Sequence, residues 1–122
     1  MQSYAFSKDS GLYSFNIIGD DAYLAYVGPH AFDGCSALEE FIDFSRIEHI
    51  SEYAFKGCAS LTGDINLSSI DYIGDNAFNG CSALHGVKFG RSMLDAVVGE
   101  DMLYGCTAIE TIDCSEMEYF EL

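Results

Sequence analysis

The chain has 122 residues, enough for one domain, and 49% of them are hydrophobic. Twenty Asp and Glu against five Lys and Arg give a net charge of −15, a field that repels phosphate backbones and anionic membrane surfaces and so argues against nucleic acid as a partner. The longest apolar runs fall short of the roughly 18 residues of a membrane span, and the N-terminus lacks the basic and apolar regions of a signal peptide. The acidic excess reads first as a solubilising outer surface. The sharper reading is a cationic partner or a divalent cation.

In chain order, one phrase returns. Ala5-Phe6-Ser7-Lys8-Asp9-Ser10-Gly11-Leu12 is a weak opening copy. Ala31-Phe32-Asp33-Gly34-Cys35-Ser36-Ala37-Leu38 is a full one, followed by Ala54-Phe55-Lys56-Gly57-Cys58-Ala59-Ser60-Leu61 and Ala77-Phe78-Asn79-Gly80-Cys81-Ser82-Ala83-Leu84. Met102-Leu103-Tyr104-Gly105-Cys106-Thr107-Ala108-Ile109 is a degraded last copy. The full copies stand 23 residues apart, at 31, 54 and 77. Fixed-period self-similarity points to stacked coils, each touching only its neighbours. Since Phe6 already belongs to a repeat, the chain reads as a piece of something longer.

The end of each phrase predicts a short strand with alternate residues inward. Leu12 leads to Phe15 and Ile17, Leu84 to Val87 and Phe89, and Ile109 to Ile112 and Cys114. In the two middle coils Leu38 leads to Ile42 and Phe44, and Leu61 to Ile65 and Leu67, with one extra residue. That insertion reads as a bulge at Glu39-Glu40-Phe41 and at Thr62-Gly63-Asp64. A second apolar pair follows: Leu24 and Val27, Ile47 and Ile50, Ile70 and Ile73, Met117 and Phe120, with Leu94, Val97 and Val98 as candidates in the irregular fourth coil. Ile73-Gly74-Asp75-Asn76-Ala77-Phe78 predicts a turn into one helical turn, capped by Asp75 or Asn76. The fold class is an α/β solenoid of about 23-residue coils, a single unit of about five coils over residues 1–122.

The phrase Ile-Gly-x-x-Ala-Phe-x-Gly-Cys-x-x-Leu, with the strand and second apolar pair after it, resembles the BspA-type (Treponema pallidum-type) leucine-rich repeat. Residues 73–89 carry the pattern most fully, and 50–67 nearly so. The family's proline after the strand is replaced by Ser45, Ser68 and Gly90. The resemblance implies a right-handed curved stack, with parallel strands on the concave face and short helical or 3-10 turns opposite. It also implies a non-catalytic module of bacterial or protist cell-surface or secreted proteins, without a cofactor, that binds another protein.

Cys35, Cys58, Cys81 and Cys106 share one phase of the coil and read as a ladder of small buried groups, with Cys114 in a strand core position. Zinc ligation would need pairs such as Cys-x-x-Cys, which do not occur. His30, His49 and His85 fall in three different phases, so a Cys–His enzyme is a remote reading. Asn66-Leu67-Ser68 matches a glycosylation sequon, but Leu67 is expected to point inward. The outward strand positions remain: Ser14, Asn16, Glu40, Asp43, Asn66, Lys88, Thr111 and Asp113, beside Gly63 and Gly86. They form a candidate protein-binding strip. The competing readings are a solvated face and a spacer that holds another domain away from a surface.

Overall fold

A computed structural model describes residues 7–8, 11–12, 25–39, 43–90 and 97–115. The chain winds as a solenoid of parallel strands, with two sheets running along the stack. One sheet holds β3 (Gly63–Leu67), β5 (Leu84–Phe89) and β7 (Thr111–Asp113) in that order. The other holds β1 (Ala25–Val27), β2 (Ile47–Ile50), β4 (Tyr72–Ile73) and β6 (Val97–Val98). All pairings are parallel, as coil-on-coil stacking demands.

The first sheet is built from the expected Leu-x-x-φ-x-φ strands. Ile65 pairs with Val87 and Leu67 with Phe89, and all four are buried. Ile112 continues their register but is 54% exposed, on the outermost described strand of this sheet. Cys114 stands just after β7 and is exposed, not in the core as expected. The register steps between Gly63 and Asp64, where Gly63 takes φ +77°. That is one of the two predicted bulges. The other, at Glu40-Phe41, and the strands of Phe15 and Ile17 lie outside the described residues.

The second apolar pair does more than fill the core. Val27, Ile47, Ile50, Ile70 and Ile73 are buried, and the short segments that carry them pair into the second sheet. Leu24, Leu94, Met117 and Phe120 lie outside the described residues. Phe44 was expected in a strand. It opens a 3-10 turn, Phe44–Arg46, and packs edge-on against Phe55 and Phe78 at 5.3 and 5.9 Å.

The Phe corner corrects the helical expectation. Residues 75–80 form consecutive turns, and alternate amides donate sideways to the next coil. Asn76, Phe78 and Gly80 donate to the carbonyls of Glu100, Met102 and Tyr104 at 2.8–2.9 Å. Tyr53, Phe55 and Gly57 do the same to Asp75, Ala77 and Asn79. Amides spent between coils cannot build the i→i−4 bonds of a helix. The two proposed caps serve other ends. Asp75 accepts from the Glu100 amide one coil on, at 2.8 Å, and Asn76 sits at φ +57°.

The phrase then explains itself. Phe32, Phe55 and Phe78 stack with nearly parallel rings, centroids 5.1 and 5.3 Å apart, all fully buried. Gly34, Gly57 and Gly80 all take φ of +74 to +80°, where glycine alone is unstrained. Three cysteine thiols donate to the Phe carbonyl one coil back: Cys58 to Phe32, Cys81 to Phe55 and Cys106 to Phe78, at 3.1–3.3 Å. The cysteines are therefore a ladder of donors as well as of small buried groups.

Candidate functional site

The outward face of the first sheet carries an open depression of about 480 Å³. Two register rows cross it. Asn66, Lys88 and Asp113 lie side by side on β3, β5 and β7, and Asp64, Gly86 and Thr111 form the next row. Ile112 alternates with Thr111 and Asp113, so its exposed side chain lies on the other side of β7, in register with Ile65 and Val87. Four residues of the sequence-derived strip, Asn66, Lys88, Thr111 and Asp113, thus meet around one concavity. Ser14, Asn16 and Glu40 lie outside the described residues.

Asp43 does not join them on a strand. It stands before the 3-10 turn, where its carboxylate accepts from the Ser45 amide at 3.2 Å and from the Ser45 hydroxyl. The same motif recurs. Asn66 Oδ1 accepts from the Ser68 amide at 3.0 Å, and Asp113 Oδ1 from the Ser115 amide at 2.8 Å. These side chains bond backbone two residues on, which is how Asx residues make turns. They turn the chain where the family pattern has proline. Ser115 side-chain and backbone bonds, helped by Lys88, hold the Asp113 carboxyl below the usual carboxylate range. Leu67 is fully buried, as expected beneath the Asn66 sequon match.

Asp64 is the lining residue that the sequence reading passed over. Counting back by two from Asn66 places it on the outward side. Assigning Asp64 to the bulge hid that signal.

The second sheet carries an outward aromatic row. His49 lies between Tyr26 and Tyr72, with ring centroids 4.1 and 4.3 Å away. Its Nε2 is 3.1 Å from Ser51 Oγ, and the Ser51 hydroxyl donates to Tyr26 Oη at 3.4 Å. Burial lowers the His49 pKa below its usual value, against the opposing pull of Asp71, Glu48 and Glu52. Nearby, His30 stacks on Tyr53 at 4.7 Å and pairs with Asp33 at 2.7 Å.

These groups are poorly placed for catalysis. Ser51 is 2% exposed, so a substrate cannot reach its hydroxyl. The Cys81 thiol beside Cys106, together with burial, pushes the Cys106 thiol up. For Cys81 itself, the downward pull of Cys106 is outweighed by Cys58 and burial, and its pKa also rises. A nucleophilic cysteine needs the opposite shift. Among the described residues no three His, Cys, Asp or Glu converge on a metal position, and no helix is long and apolar enough to cross a membrane.

Nothing among curated proteins or solved structures matches the chain. The model of the BspA type leucine-rich repeat region matches it in six copies over residues 1–121. With the repeat phrase, parallel stack and coil-to-coil bonds described above, the chain belongs to the BspA-type leucine-rich repeat family.

Proposed function

We propose that this chain is a non-catalytic protein-binding module that engages its partner on the β3–β5–β7 face. The supporting observation is the depression, where Asp64, Asn66, Lys88, Thr111 and Asp113 gather on one face. Repeat stacks commonly bind through such extended surfaces. We take residues 1–122 as one solenoid of about five coils within a longer cell-surface or secreted protein, in keeping with the family. A second reading is a spacer. It draws support from the turn-making bonds of Asp43, Asn66 and Asp113, which give three strip residues a structural task.

The test leaves those turns intact. The triple variant Asp64→Ala, Lys88→Ala, Thr111→Ala is compared with the parent for capture of protein partners from the source organism's surroundings. Loss of a partner that the parent retains supports the binding face. Equal capture by both proteins overturns it.

A further inference from the structure

Within the depression the two rows differ in charge balance. Lys88 lies beside Asp113 in the β5–β7 register, and it contributes to holding the Asp113 carboxyl ionised. Asp64 has a glycine, Gly86, as its register partner, and beyond Gly86 stands Thr111. Its row therefore brings Asp64 no positive charge.

Gly86 lies between Asp64 and Thr111 in that row. A Cβ there would collide with Asp64 Oδ1 and lie 2.6 Å from Thr111 Oγ1. The carboxylate and the hydroxyl thus converge over the glycine from both sides and fill the space above it, which brings two oxygen acceptors together. Asp64 and Thr111 are both exposed, while Gly86 beneath them is buried.

We infer that Asp64 and Thr111, converging over Gly86, hold a Lys or Arg side chain of an extended basic polypeptide segment, with Asp64 as counter-ion and Thr111 Oγ1 as second acceptor. This rests on the β3–β5–β7 face being the binding face. The charge of the whole chain, −15, favours such a partner, because it draws cationic segments in and repels anionic ones. The size fits as well. A depression of about 480 Å³ takes side chains of a strand-like segment, not a domain.

The experiment titrates the peptide Ac-Gly-Arg-Gly-amide, and in parallel Ac-Gly-Glu-Gly-amide, into the ¹⁵N-labelled protein at low salt. The arginine peptide is expected to shift the amides of Asp64, Gly86 and Thr111 saturably, and the glutamate peptide to leave them in place. Asp64→Asn should weaken binding by up to about fivefold, the upper end for an exposed charge pair. Gly86→Ala should weaken it too, since its methyl displaces two side-chain ends and no backbone. Asp71→Asn, just before β4 of the other sheet, should have no effect. Shifts spread evenly over all acidic surfaces, or an Asp64→Asn variant that binds as the parent does, would overturn the inference. If that happens while the triple variant above still loses its partner, the face stands and only the basic chemistry is wrong.

Discussion

Phe55 occupies the centre of the stack, between Phe32 and Phe78, with no exposed surface. Phe55→Ala removes a ring from a column that cannot collapse, because backbone bonds fix the coils on both sides. The expected loss is about 3–5 kcal/mol, a large share of the 5–15 kcal/mol of a typical domain. Leu103 holds the corresponding place in the degraded copy but is only half-buried, so Leu103→Ala should cost distinctly less. Urea unfolding of the two variants beside the parent checks the difference. Cys58 gives a second residue-scale prediction. Its thiol has an acceptor, the Phe32 carbonyl, so a hydroxyl at that position is also satisfied. Under reducing conditions Cys58→Ser should be no worse than Cys58→Ala, both within about 2 kcal/mol of the parent. A serine variant much weaker than the alanine one would mean that the thiol packs but does not donate.

The short elements show what was legible and what was not. Alternation after each Leu located β3, β5 and β7, because an inward Val, Ile, Leu or Phe at every second residue has few other solutions. The second sheet was harder to see. Its strands are two to four residues long, and a pair such as Ile47 and Ile50 three residues apart also fits a helical turn. The Phe corner misled for a related reason. Asp-Asn before Ala-Phe is good capping chemistry, and only the neighbouring coil reveals that its amides are spent sideways. Of the strip, Asn66, Lys88, Thr111 and Asp113 were legible as outward strand positions. The turn bonds of Asn66 and Asp113 were not, though the Ser two residues after each was in plain view. The aromatic row on β1, β2 and β4 yields the pH prediction at this scale. Burial lowers the His49 pKa, so the folded state prefers the neutral ring. On acidification the unfolded chain takes up the proton first, near its ordinary value of about 6.5. Stability should therefore fall as pH drops below about 6.5, and level off once pH is below the lowered folded value. His49→Gln should flatten that part of the profile. Thermal unfolding between pH 7.5 and 5 (roughly the range a histidine spans) reads it, and an unchanged slope in the variant would contradict the assignment.

At the scale of the whole molecule, the two sheets and the corner divide the work. The corner and the second sheet hold coil to coil through carbonyl, thiol and ring ladders, while the first sheet presents a concavity outward. All of this depends on one register, in which residues about 23 apart occupy equivalent places on neighbouring coils. Nuclear Overhauser contacts between ring protons test that register most directly. Contacts are expected from the Phe55 ring to both Phe32 and Phe78, and from the His49 ring to both Tyr26 and Tyr72, within one folded protein. Contacts from Phe55 to only one of its partners, or from His49 to residues of another phase, would contradict the stack and everything placed upon it.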